Sequence, residues 1–140
     1  MNANGLENEI AASIEGLLLP YLEKFHTHRI DVSRGEVEVR GQVDDKETSR
    51  TRVLKVVINH DNKQICIPNI FMPEFMRQFG LGKQIIAMIL DIAESHGYHL
   101  LIVDLVPSFY NRLVKRGAVV IEDGDIVLIT RETDLSHKFA

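Results

Sequence analysis

The sequence predicts one domain of the α/β (α+β) class spanning residues 1–140. Three observations support this class. Apolar residues recur at helical spacing over residues 6–25, and a second apolar helical stretch over residues 82–96 ends at Gly97. Alternating apolar and polar residues over 35–42 indicate a half-buried strand. A nearly continuous apolar run over residues 99–106 is typical of a strand that is covered on both faces.

The composition limits the classes of function and the compartment. With 140 residues and 45% hydrophobic content, the chain is long enough to bury a core. The net charge of −4 gives no overall basic field, so we expect neither nucleic acid nor an anionic membrane surface as partner. The single cysteine, Cys66, excludes an intrachain disulfide and favours a reducing compartment. No apolar run approaches the roughly 20 residues of a membrane span, so we expect a soluble, cytoplasmic protein.

The first half of the chain is predicted to hold N-terminal helices over 1–28 and strands over 35–72. Pro20 lacks a backbone donor inside the helical pattern, so we expect a kink or two short helices. The apolar face of this helical region is expected to pack on the sheet, with partner binding as the alternative. The third and most buried strand covers 65–72. Pro68 cannot donate to a neighbouring strand, so this strand should be bulged or unpaired near it.

The second half is predicted to hold a loop and a helix over 73–97, then a strand, a short helix and a hairpin over 99–130. The helix from Gly82 to His96 is apolar on most sides, so it must lie against a sheet. Gly97 is a natural C-terminal stop. The Asp123-Gly124 pair predicts the turn of the hairpin.

The segment from Arg77 to Lys83 carries the strongest functional signal. It joins an apolar strand to a long helix, and a helix N-terminus offers unpaired N–H groups and a positive dipole end to phosphate oxygen atoms. Glycine lets the backbone approach such oxygen atoms closely. A Walker-type loop is excluded, because Arg77 and Gln84 stand where it needs glycine and a hydroxyl residue. The glycine spacing of a dinucleotide-binding loop is also absent, which leaves an ordinary turn as the alternative to a phosphate site.

The order of motifs around this segment resembles the GNAT family of N-acetyltransferases. The resemblance covers residues 53–130, whereas residues 1–52 match only in the type of element. Arg77-x-x-Gly80-x-Gly82 is similar to the family's acyl-CoA loop. Met72-Pro73-Glu74 is similar to the strand end that usually precedes this loop in the family. The family's second signature, an aromatic-tyrosine helix before a glycine turn, is similar to Phe109-Tyr110-x-Arg112-Leu113 with Gly117-Ala118.

This resemblance implies a fold, a co-substrate and a set of binding residues. The fold is acyl-CoA N-acyltransferase-like, a mixed, mostly antiparallel sheet flanked by helices. The strand before the loop and the strand at 99–106 would run parallel and splay apart. The pantetheine arm of acetyl-CoA would enter that gap, and the loop amides would hold the pyrophosphate. The implied cofactor-binding residues are Ile70, Phe71, Met72, Arg77, Gln78, Phe79, Gly80, Leu81, Gly82, Lys83, Ser108 and Arg112.

Some of these binding residues have an alternative interpretation. Arg77 and Lys83 would add charge near the phosphates or would be solvated surface groups. Arg112, with Lys115, is a candidate for the 3′-phosphate. Ser108 either takes part of the role of an asparagine that the family often has before the aromatic-tyrosine pair, or caps the helix.

Tyr110 and Asp104 are the candidate catalytic residues. In the family the matching tyrosine commonly acts as the acid for the departing thiolate, and a phenol carries its proton at neutral pH. The alternative for Tyr110 is a core position beside Phe109. The strand at 65–72 offers no acidic residue as the base. Asp104 is the substitute, because a carboxylate in an apolar strand has to face a polar group; helix or loop capping is its alternative. A base that acts through water, or a reaction without a base, is the other possibility.

Other reactive side chains are expected to be structural. Cys66 has no histidine-acid pattern beside it, and apolar neighbours would raise its pKa, so a nucleophilic role is not expected. His26 and His28 have the spacing of one strand face, but no further ligands accompany them. No metal site is therefore predicted.

The leading hypothesis is an N-acyltransferase that moves an acetyl group from acetyl-CoA to a primary amine on a small molecule or a protein. The acidic charge balance favours a cationic acceptor. The alternative is a non-catalytic module of the same fold that senses acyl-CoA or binds a protein partner. The missing strand acid and the sequence Val106-Pro107-Ser108, which lacks the family's asparagine, motivate this alternative. A homodimer and a monomer are both compatible with the sequence.

Overall fold

The computed structural model describes residues 5–25, 27–42, 51–70 and 80–135. Within these ranges the chain forms three helices and seven strands. In chain order they are α1 (Gly5–Leu22), β1 (Thr27–Ser33), β2 (Glu36–Gln42), β3 (Thr51–Asn59), β4 (Gln64–Ile70), α2 (Leu81–Ser95), β5 (His99–Ile102), α3 (Pro107–Lys115), β6 (Val119–Glu122) and β7 (Ile126–Ile129).

The seven strands form one mixed, mostly antiparallel sheet in the order β1-β2-β3-β4-β5-β7-β6. Every neighbouring pair is antiparallel except β4 and β5, which run parallel. This parallel pairing begins with Gln64 opposite His99 and ends with Ile67 opposite Ile102. The predicted α+β class and the parallel arrangement of these two strands are therefore confirmed.

The core lies between α1, α2 and one face of the sheet. The helix α1 contacts β1 and β2, α2 contacts β4 and β5, and the two helices contact each other. Side chains that are neighbours across four strands line this face and are almost completely buried. They are Ile58, Ile65, Leu100 and Ile129.

The N-terminal region differs from its prediction in two respects. A single helix runs from Gly5 to Leu22, so the expectation of two short helices is wrong. Pro20 lies in the last turn of α1 and is exposed, as is Gly16, whose carbonyl loses its helical donor. Water can replace that one hydrogen bond, so the helix continues to Leu22.

The strand β1 was not predicted, and its first residues were assigned to the helical region 1–28. β1 lies at the edge of the sheet and carries the exposed Arg29 and the half-buried Asp31. Polar and apolar residues alternate over 29–33, so the strand signal was present in the sequence but covers only a short stretch. Gly35, with a φ of 79°, then provides the left-handed residue between β1 and β2.

The predicted irregularity at Pro68 is confirmed. Lys55 of β3 pairs with Asn69 of β4, and Val57 pairs with Cys66. One residue of β3 therefore lies opposite two residues of β4, Ile67 and Pro68, which is a β-bulge. The end of the predicted strand, residues 71–72, lies outside the described residues.

The second half of the fold agrees with its prediction except at β5. Helix α2 spans Leu81–Ser95 and is followed by Gly97 with a φ of 75°, and the hairpin turns at Gly124 with a φ of 79°. The predicted strand over 99–106 is too long, because β5 ends at Ile102. Asp104 adopts a left-handed φ of 54°, which extended backbone does not allow.

Candidate functional site

A glycine residue directly precedes the N-terminus of α2. Gly80 precedes the helix with a left-handed φ of 66°, and its carbonyl accepts the first helical hydrogen bond, from Gln84 N, at 3.1 Å. Leu81 is buried and fixes the start of the helix to the core. Earlier residues of the predicted loop, and the end of the strand before it, lie outside the described residues. They are Phe71, Met72, Arg77, Gln78 and Phe79.

Gly82, in the first turn of α2, faces open space. A Cβ atom built at this position would have no neighbour within 4 Å. Packing of the described residues therefore does not require a glycine here, and none of them would contact a Cβ atom at this position. The backbone of Ile70 pairs with that of Leu54 at the end of β4.

Lys83, in the first turn of α2, interacts electrostatically with two arginines. The pKa of Lys83 is lowered, first by partial burial and then by repulsion from Arg116 and Arg112, while Asp134 acts in the opposite direction. The Arg116 guanidinium is buried and donates from Nη1 to the Asp134 carbonyl oxygen at 2.9 Å. Arg112 lies over the Phe109 ring, with its guanidinium carbon 5.7 Å from the ring centre. The cationic cluster is thus formed by Lys83, Arg112 and Arg116.

A small cavity of about 100 Å³ lies where β4 and β5 stop pairing. The last backbone bond between the two strands runs from Val103 N to the Ile67 carbonyl oxygen at 3.1 Å. Beyond it Pro68 has no N–H to donate, and Asp104 turns the other strand away. The cavity is lined by Ile67, Pro68, Ile102, Val103, Asp104, Leu105, Val106 and Phe109.

Asp104 is the acidic residue of this cavity lining, but its setting differs from the predicted one. It follows β5 instead of lying within it, and it is exposed. The expectation of a carboxylate enclosed in an apolar strand is therefore wrong. Its positive φ is uncommon for a residue other than glycine, and such strained positions cluster at functional sites.

Tyr110 does not line the cavity, although the preceding Phe109 does. Its hydroxyl group donates to Asp123 Oδ1 at 3.1 Å, in the turn between β6 and β7. The phenol is half-buried. The predicted role as an acid thus requires the hydroxyl group to leave Asp123, and it stays a prediction.

Ser108 is not the helix cap. The residue before the first turn of α3 is Val106, with extended backbone and no side-chain capping bond, and Pro107 occupies the first helical position. Ser108 is exposed in the first turn, next to cavity-lining residues but not among them.

Two arrangements were not found from the sequence. One is the contact of Arg116 with the chain end at Asp134, for which the sequence contains no signal. The other is a partly buried polar network in which Glu7 Oε2 contacts His60 Nε2 at 2.8 Å, and His60 Nδ1 contacts the Tyr98 hydroxyl at 2.7 Å. The burial of Glu7 could have been predicted, because Glu7 lies at helical spacing from the apolar residues of α1.

Cys66 behaves as expected. The thiol is half-buried, and burial raises its pKa above the ordinary value, so the reactive thiolate is scarce at neutral pH. In the described part of the chain no three histidine, cysteine, aspartate or glutamate side chains come together as they would around a metal ion.

Comparison with known proteins gives no assignment: no protein-family model matches the chain, and no curated protein is similar to it. A search for membrane-spanning helices among residues 5–25, 27–42, 51–70 and 80–135 finds none with the required length and apolar character.

Proposed function

We propose that this protein is an N-acyltransferase that moves an acetyl group from acetyl-CoA to a primary amine. The observation that carries the proposal concerns the N-terminus of α2, which Gly80 precedes. It lies at the same end of the sheet as the cavity where β4 and β5 stop pairing. Both lie at the carboxyl ends of the only parallel strand pair among the described strands. Ligands of sheets with helical crossovers bind at this end, where helix N-termini converge.

The proposed fold is that of acyl-CoA N-acyltransferases. It is supported by a mixed sheet in which one parallel pair is joined through α2 and interrupted by a bulge at Pro68. The short helix α3, which follows β5 and borders the cavity through Phe109, also supports this proposed fold.

The charge distribution supports a diphosphate at the start of α2. The first-turn N–H groups there have no helical acceptor, and Gly80 and Gly82 place no side chain in front of them. Lys83 and Arg112 supply positive charge at the same place. A ligand that brings two phosphate charges would relieve the mutual repulsion of these cations.

The proposed chemistry uses the open end of the cavity. The amine nitrogen attacks the thioester carbonyl carbon, the carbon–sulfur bond breaks, and CoA leaves as a thiolate. Asp104, exposed at the cavity lining, is the proposed acceptor of the amine's proton. Tyr110 is the proposed donor to the thiolate, after its hydroxyl group turns from Asp123.

A second candidate function is a non-catalytic acyl-CoA-binding module. The observation that favours it is the Tyr110 hydroxyl bonded to Asp123 at 3.1 Å, away from the cavity. In such a module the cationic cluster would bind CoA, and no residue would need to protonate the thiolate.

A turnover assay separates the two functions. Acetyl-CoA is mixed with the protein and with a polyamine, an aminoglycoside or a lysine peptide, and the released thiol is measured. We expect release with a primary amine, and Tyr110→Phe should slow it by about 10²–10⁴-fold while CoA still binds, as is usual for loss of a general acid. Bound CoA with no thiol release for any amine would exclude the enzyme on these acceptors and favour the module. Unchanged turnover in Tyr110→Phe would exclude Tyr110 as the acid.

A further inference from the structure

The strand β6 presents an apolar, unpaired edge. It ends the strand order and is paired only with β7 among the described strands, so its outer N–H and C=O groups have no neighbouring strand. Its four residues are all exposed, and Val119, Val120 and Ile121 are 45%, 43% and 56% exposed. The register with β7 shifts between Val120 and Glu122, so Ile121 has no partner in β7.

The opposite edge of the sheet, β1, is built differently. It carries Arg29 and Asp31, which form an exposed ion pair with Nε and Oδ1 2.5 Å apart. Charged side chains on an edge strand oppose pairing with another strand, because pairing would remove them from water. β6 has no charged residue before Glu122 at its end. The two edges of one sheet therefore differ in their capacity to accept a further strand.

The charges near the two ends of β6 indicate which strand could pair with its free edge. The basic Lys115 ends α3, four residues before the strand, and the acidic Glu122 and Asp123 end and follow it; all three are exposed. A second copy of β6 in antiparallel orientation places its acidic end beside the basic end of the first. A copy in parallel orientation would bring like charges together.

We propose that β6 pairs with β6 of a second copy of this chain, in antiparallel orientation, to form a homodimer. A two-fold axis near Val120 makes the interface self-complementary. In that register Val119 lies opposite Ile121 of the partner subunit, so the exposed apolar side chains cover one another. The sheet then continues from one subunit into the other. This dimer does not depend on the proposed function.

Mass measurement across a concentration series tests the dimer. We expect light scattering to give a mass near twice the 15.9 kDa of one chain at high concentration, falling toward one chain on dilution. Ile121→Lys should weaken dimerisation by at least about tenfold, or 1.4 kcal/mol, because it places a charge against apolar side chains. Val32→Lys, on the exposed edge strand β1, is the matched control and should leave the dimer intact.

Exchange of charges tests the orientation. Lys115→Glu and Glu122→Lys should each weaken the dimer, and the double variant should restore it, since the two charges then meet in reversed positions. A wild-type protein with the mass of one chain at every concentration would overturn the proposal. So would a dimer that Ile121→Lys and Val32→Lys weaken equally, or one that the double variant fails to restore.

Discussion

Glu7 is a carboxylate that is completely buried yet held in its charged form. Burial by itself raises its pKa, but the hydrogen bonds from His60 and from the Gly35 N–H, the latter at 2.6 Å, outweigh it, and the pKa lies below the ordinary 4.5. Its second oxygen, Oε1, is buried without a partner among the described residues. The residue connects α1 to the turn before β2 and to the end of β3.

Replacement of this carboxylate should reduce stability in a pH-dependent way. Glu7→Gln loses the charge that accepts both hydrogen bonds, and we expect about 1–3 kcal/mol less free energy of unfolding at pH 7. Because the folded pKa is lowered, the stabilisation is complete above the unfolded value and disappears as pH falls through the folded value. The difference between wild type and variant should therefore shrink below pH 4.5.

The matched control for this prediction lies two residues further along the same helix, on a different face. Glu9 also contacts a histidine, His96 Nε2, at 2.7 Å, but this pair is exposed. Glu9→Gln should cost at most about 1 kcal/mol, because solvent screens exposed ion pairs. Urea unfolding of the three proteins at several pH values provides the comparison. Equal losses for Glu7→Gln and Glu9→Gln would contradict the account of Glu7.

At the residue scale, features that depend on neighbouring residues could be predicted from the sequence, whereas contacts between distant residues could not. The glycines near the start of α2 could be identified from the sequence, because a turn before an apolar helix is a local pattern. Asp104 was placed in a strand because its neighbours are apolar, whereas the structure puts it at a left-handed turn. The bond of Tyr110 to Asp123 joins two elements, and no spacing in the sequence predicts it.

The docking of α1 on the sheet depends on a glycine in β2. A Cβ atom at Gly41 would lie 2.6 Å from Cδ1 of the Phe25 ring, which is buried just after the end of α1. Gly41→Ala should therefore push this ring out of its position and lower the free energy of unfolding by about 1–3 kcal/mol.

A glycine in α1 serves as the control for this substitution. Gly16 is exposed in the helix, and a Cβ atom there meets nothing within 4 Å. Gly16→Ala should leave stability unchanged or raise it by up to about 1 kcal/mol, because alanine favours helix. Thermal unfolding measures both variants. A Gly41→Ala protein as stable as wild type would show that Phe25 adapts at no cost.

At the element scale, the elements with strong periodicity or specific turn residues were predicted. The helix α2 and the β6–β7 hairpin follow from a long apolar pattern and from the Asp123-Gly124 pair. The edge strand β1 was missed because its alternation of polar and apolar residues covers only residues 29–33. The end of β5 was misplaced because residues 103–106 continue the apolar pattern after strand pairing has stopped.

At the scale of the whole molecule, the order of strands is the information that the sequence pattern alone lacks. Strand pairing is non-local, and only the resemblance to the GNAT family implied that β4 and β5 run parallel and separate. The fold places two distinct features on the molecule. The carboxyl ends of β4 and β5 border the cavity, while the outer edge of the sheet holds the apolar strand β6.

The central claim, that the start of α2 holds the phosphates of CoA, is tested most directly by thermal unfolding with CoA, acetyl-CoA or ATP. A ligand at a hundred times its dissociation constant stabilises the folded protein by about 2.7 kcal/mol. We expect both CoA species to raise the melting temperature and ATP to leave it unchanged. Gly82→Val should abolish the CoA shift, because its side chain occupies open space where the ligand approaches, and Gly16→Val should retain it. No shift with either CoA species, or equal shifts in the two variants, would contradict the claim.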